Sequence, residues 1–255
     1  MDNYKRVMKE DIDKLFNEYL ESLAGPYDDF LVDHILKSDF YLMTAENEEI
    51  GYFAICNEDL LTQFYMKDEY MHLAQSKLKN IIKSYDIKNA FVPTCDERFL
   101  SYALDLKKEI HLQAYFFKET DRKVKPVLME KGQLRLAVPS DIEMIKTLSD
   151  NFFSDVTEET EDKKIYIFED ADEVYGFGIV VENEIHKDHL GIGMFTVEKH
   201  RQKGVGRSII LHLKELCHSL GYKSLPGCWY YNHNSKSTLE SCGYITNTRL
   251  LRIEF

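Results

Sequence analysis

Apolar and polar positions along this 255-residue chain fall into two successive rounds of one pattern. In the first, Tyr41-Leu42-Met43-Thr44, an acidic turn and Ile50-Gly51-Tyr52-Phe53-Ala54-Ile55 predict a two-stranded hairpin. A strand over about 60–66, a helix over 71–84, a strand over 90–94, a short helix and a closing strand over 112–117 follow. In the second round, Tyr166-Ile167-Phe168-Glu169, an acidic turn and Tyr175-Gly176-Phe177-Gly178-Ile179-Val180 predict the same hairpin, with matching Tyr and Gly at equal spacing. Then come a strand over 190–197, a helix over 205–220, a strand over 224–231, a short helix and a terminal strand over 248–255. Antiparallel strands running into a strand-helix-strand crossover predict an α/β fold, a mixed sheet flanked by helices, in each half.

Between the rounds, residues 119–132 are polar, highly charged and broken by Pro126, which reads as a linker. The expected organisation is a first domain over 1–118, a linker over 119–132 and a second domain over 133–255. That second domain opens with the alternating strand Leu134-Arg135-Leu136-Ala137-Val138. Ser140-Asp141-Ile142-Glu143 reads as a capping box, and Ile142, Ile145 and Leu148 mark the buried stripe of the helix it starts.

Composition narrows the function. Hydrophobic residues make up 44% of the chain, and no charge-free run approaches the ~20 apolar residues of a membrane span. The N-terminus lacks the apolar stretch of a signal peptide, and five cysteines form an odd, scattered set, so a reducing cytoplasm is the expected location. A net charge of -12 argues against nucleic acid as a partner and suits a cationic or amine substrate. Cys217, His218, Cys228, His233 and Cys242 crowd one region, but their spacing matches no zinc pattern, and no metal is expected.

Against this acidic background one stretch is basic: Lys199, Arg201, Lys203 and Arg207, punctuated by Gly204 and Gly206. It lies between the strand ending Phe195-Thr196-Val197 and a helix whose Ile209, Ile210, Leu213, Leu216, Cys217 and Leu220 are spaced by three and four. At a helix start the first amides lack acceptors, and the macrodipole adds about half a positive charge, which together favour an anion. Glycines there let the backbone approach phosphate oxygens. The matching junction in the first half, Met66-Lys67-Asp68-Glu69-Tyr70-Met71, has no glycine and two carboxylates. G-x-x-x-x-G-K-[ST] is absent, and a dinucleotide G-x-G-x-x-G would need glycine where Ile209 stands.

Val197-x-x-x-Arg201-x-x-Gly204-x-Gly206 resembles the acyl-CoA signature of the GNAT acyltransferase superfamily. Asn232-His233-Asn234-Ser235, followed by Gly243-Tyr244, resembles that family's second pattern. The resemblance covers about 133–255 well; the first half matches in element order and reads as a degenerate copy. It implies a GNAT fold with acetyl-CoA as acyl donor. The amides of Gln202, Lys203, Gly204, Val205, Gly206 and Arg207 would hold the pyrophosphate, and Phe195, Thr196 and Val197 would pair with the pantetheine. Asn232 and Ser235 would line the far wall, Ser235 being equally a candidate helix cap. Gly191 and Gly193 suit a bulge that would splay the strands apart. Leu239 stands where the family often places a tyrosine acid. Tyr231 is the chosen acid, with Tyr230, Cys242, Ser241 and solvent as alternatives; Asp188 is the chosen base, beside Glu182 and Glu184.

The expected function is N-acetyl transfer from acetyl-CoA to a primary amine by direct attack in a ternary complex. The acceptor is a small molecule or a protein amine, and the protein a monomer or homodimer. The alternative is a catalytically inactive CoA-binding sensor or scaffold.

Overall fold

A computed structural model describes residues 3–125, 129, 132–171 and 173–255; residues 126–128, 130 and 131 of the expected linker, Pro126 among them, lie outside the described residues. The chain forms two compact units, one of Met1–Tyr115 with Thr248–Phe255, the other of Phe116–Asn247. The first round supplies β1 (Asn3–Val7), α1 (Asp13–Glu21), α2 (Asp29–Leu36), β2 (Asp39–Ala45), β3 (Glu48–Cys56) and β4 (Leu60–Met66), then α3 (Ala74–Ser84), β5 (Asn89–Pro93), α4 (Glu97–Leu106) and β6 (Glu109–Glu119). The second supplies β7 (Gln133–Leu136), α5 (Ile142–Leu148), α6 (Val156–Glu161), β8 (Ile165–Glu169), β9 (Val174–Glu182), β10 (His189–Thr196), α7 (Val205–Ser219), β11 (Lys223–Trp229), α8 (His233–Ser241) and β12 (Tyr244–Glu254).

In the first unit β1 to β4 pair antiparallel in chain order and β5 joins β4 in parallel. The acidic turn between β2 and β3 works because Glu46 and Asn47 both take positive φ, the twist a two-residue hairpin requires. Leu250–Glu254 of β12 then pair antiparallel with Asn89–Pro93 of β5. These last residues were expected to close the second half. Their alternation explains the difference, since Leu251, Ile253 and Phe255 are buried with Phe53, Phe64, Leu78 and Phe99 in the core of the first unit.

The second unit orders its strands β7-β8-β9-β10-β11, antiparallel except for the parallel pair β10 and β11. Helix α7 buries Val205, Ile209, Ile210, Leu213 and Cys217 along one stripe. The capping box takes another form: Pro139 begins a 3-10 turn ahead of α5, and the Asp141 carboxylate accepts the Val138 amide at 2.9 Å while bound to Arg135 at 2.7 Å. Glu119 ends β6 rather than opening a linker. It accepts the Ser224 amide at 2.7 Å and the Ser224 hydroxyl, with His218 Nε2 at 2.7 Å and Lys214 Nζ at 3.6 Å.

Candidate active site

The site grows from the point where β10 and β11 part. Their parallel register runs from His189 opposite Lys223 to Ile192 opposite Pro226 and stops, whereas β10 continues to Thr196. Pro226 has no amide to donate, so the ladder cannot extend through it. The expected glycine bulge is not the cause, because β9 and β10 pair residue for residue from Leu190 to Thr196. Beyond Ile192 the edge of β10 that faces β11 is free, and a slot opens.

Two cavities share that slot. The inner one, about 210 Å³, has walls of Ile192, Gly193, Met194, Pro226, Cys228 and Leu239. The outer one, about 610 Å³, runs along Phe195 and Thr196 to the start of α7, where Arg201, Gln202, Gly204, Val205, Gly206 and Arg207 line it. Phe152, Met194, Asn232 and Ser235 line both. Among the described residues no carboxylate lines either cavity, in a chain of net charge -12.

The outer end gathers main-chain donors and basic side chains at the start of α7. The first bond of α7 is donated by the Ser208 amide to the Gly204 carbonyl at 3.0 Å, so the amides of Val205 and Gly206 ahead of it have no helical acceptor. Gly204 sits at φ +85°, left-handed backbone that strains any residue with a Cβ. Gly206 packs close to β10: a Cβ there would meet Met194 Sδ at 3.0 Å and Thr196 Oγ1 at 3.2 Å. The Arg201 guanidinium lies 5.8 Å from the centre of the Phe195 ring. These residues fit a doubly charged diphosphate in amides, charge and room.

Phe195, Thr196, Gln202, Gly204, Val205, Gly206, Arg207, Asn232 and Ser235 thus come together around one space, joined by Arg201 and Phe152. Val197 is instead buried in the core of the unit and engaged through its main chain, its amide donating to the Tyr175 carbonyl at 3.1 Å and its carbonyl accepting the His200 amide at 2.8 Å; the Lys203 side chain does not line the slot, its Nζ meeting the Lys199 carbonyl at 2.9 Å. The α8 cap is Asn232, whose Oδ1 accepts the Ser235 amide at 3.0 Å; the Ser235 side chain is left to line the cavities. Tyr231 is 55% exposed beside Trp229, at 5.0 Å between ring centres, and lines neither cavity. Asp188 precedes β10, roughly 23 Å along the strand from Phe195. Its carboxylate accepts Lys223 Nζ at 3.0 Å and lies 2.7 Å from His189 Nδ1. Lys223 and then His189 lower its pKa to about 2, which leaves it a weak base. Phe152 has no motif to announce it; it follows two residues at positive φ, Asp150 and Asn151, and stands 5.5 Å from the Phe195 ring.

The first unit repeats the geometry with the slot filled. Strands β4 and β5 pair only at Leu60 with Asn89 and Leu61 with Ala90. Asp96 caps α4 by accepting the Phe99 amide at 3.0 Å, as Asn232 caps α8. Phe99, in the place of Ser235, is buried with its ring centre 6.0 Å from that of Phe64. After β4 comes a 3-10 turn with Asp68 and Glu69 at its start. Among the described residues, one trio of metal-capable side chains gathers, Glu109, His111 and Glu254; Glu254 also binds Arg252 at 3.2 Å. The cysteines and histidines weighed above form no such group.

Two α/β units with parting parallel strands, one holding an open slot that ends at a glycine-led helix start, define a narrow class. Residues 8–120 match the model of an acetyltransferase (GNAT) domain, and residues 135–244 that of the acetyltransferase (GNAT) family. The chain belongs to the GNAT acetyltransferases and carries two of their domains in tandem. It is similar in fold to a GNAT-family acetyltransferase from Colwellia psychrerythraea, with TM-score 0.87, 16% identity and 99% of each chain covered. A GCN5-related N-acetyltransferase from Sphaerobacter thermophilus aligns with TM-score 0.70 and 12% identity over 99% of this chain and 95% of that one. A tandem GNAT protein of the clavulanic acid biosynthesis pathway aligns with TM-score 0.63 and 12% identity, over 99% and 98%. No curated protein matches the chain in sequence. None of the helices among the described residues is long and apolar enough to cross a membrane.

Proposed function

We propose that the second unit is an N-acetyltransferase that moves an acetyl group from acetyl-CoA to a primary amine within one ternary complex. One observation carries this reading: the slot left by β10 and β11 leads without interruption to the start of α7, where the amides of Val205 and Gly206 precede the first helical bond. A diphosphate-bearing donor seated there, with its thiol arm along the free edge of β10, directs the thioester into the inner cavity. The amine nitrogen attacks the thioester carbonyl, a C–N bond forms, the C–S bond breaks, and the thiolate leaves. The proton-bearing side chains on the inner walls are Cys228, Trp229, Asn232 and Ser235. None is an ordinary acid at neutral pH, and a thiolate, whose parent thiol ionises near pH ~8.5, departs without strong acid help. Positioning and amide dipoles therefore carry the catalysis, and water takes the proton released by the amine.

The alternative, a CoA-binding sensor without turnover, is favoured by one feature: Leu239 is buried against the inner cavity at the place of the expected acid. Release of free thiol from acetyl-CoA over a panel of primary amines separates the two. Turnover with any amine establishes the transferase; tight CoA binding with no turnover establishes the sensor; no CoA binding ends both.

A further inference from the structure

A third cavity of the second unit is walled mainly by cations. It measures about 380 Å³ and is lined by Arg122, Lys123, Val124, Lys125, Arg207 and Ser241. Four basic side chains and, among the described residues, no carboxylate thus border one space in a chain of net charge -12. Arg122, Lys123 and Lys125 belong to the segment after β6 whose composition reads as a linker, and they lie outside both GNAT signatures.

Main-chain contacts hold this segment against the end of α8. The Gly243 carbonyl accepts the Thr120 amide at 3.2 Å and the Thr120 hydroxyl at 2.7 Å. The Arg122 guanidinium donates to the Glu240 carbonyl, and Arg207 donates to the carbonyls of Lys125 at 2.8 Å and Ser241 at 3.3 Å. Val124 packs on Gly243, where a Cβ would stand 3.2 Å from its Cγ1. Neutral carbonyls therefore orient both arginines, and a carbonyl aligns a guanidinium without cancelling its charge. The exposed side chains of Lys123 and Lys125 have no hydrogen bond or ion pair among the described residues. The Glu240 carboxylate, on the last turn of α8, is taken by Lys236 at 2.6 Å. Like charges held around one space repel each other, and an anion placed among them relieves that repulsion.

The position of the cavity names the anion. Arg207 lines both this cavity and the outer end of the slot, and Thr238 and Ser241, one turn apart on α8, line one each. We propose that the cavity binds the 3′-phosphate of coenzyme A, so that Lys123 and Lys125 make the chain select CoA over dephospho-CoA. The proposal rests on the reading that the start of α7 seats the diphosphate. In CoA the 3′-phosphate stands one ribose away from that diphosphate, which brings it to the space beyond Arg207. It is a phosphate monoester carrying about -1.5 to -2 charges at pH 7, with three acceptor oxygens, and ammonium and guanidinium groups give it charge-assisted hydrogen bonds.

Titration calorimetry on the full chain with CoA and with dephospho-CoA, which differ by that one phosphate, tests the proposal. CoA should bind about tenfold tighter or more at low salt, and the margin should shrink as salt rises. The double variant Lys123→Ala, Lys125→Ala removes two exposed side chains and keeps the Lys125 carbonyl that Arg207 meets. It should lose most of the margin, CoA falling toward dephospho-CoA while dephospho-CoA itself changes little. Lys79→Ala with Lys83→Ala, exposed lysines of α3 in the other unit, removes the same net charge and should keep the margin. Equal affinity for the two ligands in the unaltered chain, or a margin that survives the loss of Lys123 and Lys125, overturns the proposal and leaves the transferase reading standing. Binding of neither ligand ends both.

Discussion

Replacing Gly204 by aspartate and by asparagine separates charge from shape at the proposed pyrophosphate seat. Both side chains tolerate left-handed backbone better than most, and at φ +85° either costs roughly 1 kcal/mol of stability. They occupy nearly the same volume and differ by one negative charge. A carboxylate on residue 204 would stand roughly 5 Å from the nearest phosphate oxygen, about one hydrogen-bond length beyond the amide cluster. Coulomb's law then gives about 1–3 kcal/mol of repulsion for each phosphate charge, between the limits of bulk water and a protein surface. Gly204→Asn should accordingly retain CoA within about tenfold of the unaltered chain, and Gly204→Asp should lose at least a further tenfold. Titration calorimetry with CoA at two salt concentrations reads both effects, and the gap between the variants should narrow as salt rises. Equal affinities for the two variants, or a gap indifferent to salt, would mean that no diphosphate sits over the start of α7.

Three further outcomes are expected. CoA should bind with one site per chain, because Phe64 and Phe99 fill the matching slot of the first unit; two sites would refute that reading. Burial works against the Glu119 carboxylate, yet the Ser224 hydroxyl and amide, His218 and Lys214 together hold its pKa below the ordinary glutamate value. Its contribution is therefore present above the unfolded pKa and lost as pH falls through the lower folded one. Glu119→Gln should cost about 1–3 kcal/mol at pH 7 and converge with the unaltered chain in acid; a gap in urea midpoint that persists below pH ~3 contradicts this. Ile253→Ala, which empties a fully buried position, should cost about 2–5 kcal/mol. Hydrogen exchange should show the loss in β3 to β5 and not in β8 to β10; the opposite distribution would remove the C-terminal residues from the first unit.

The parts legible in the sequence are those fixed by local pattern. The strand Leu60–Met66 and the helix opening at Val205 follow from runs of apolar spacing and from glycine at the helix start. The glycine loop that opens α7 is equally local, since Gly204 supplies its positive φ and Gly206 its close approach to β10. Chemistry that depends on distant partners was not. Asp188 looked like a candidate base until Lys223, 35 residues away, proved to hold it. Phe152 reaches the slot through a loop that no motif marks. The partner of Leu250–Glu254 lies on a strand about 160 residues earlier in the chain, a separation that no periodicity encodes. Asp96 and Asn232 occupy equivalent cap positions, yet only burial distinguishes a plain cap from a charged one.

That the first unit is completed by a strand from residues 250–254, which follow the second unit in the chain, has a consequence for biosynthesis. The half made first is finished last: until the ribosome has read the codons for Leu250 to Glu254, the edge of β5 has no strand to pair with and remains open to other chains. Synthesis that stops before Leu250 should leave a product whose early half is the one that aggregates.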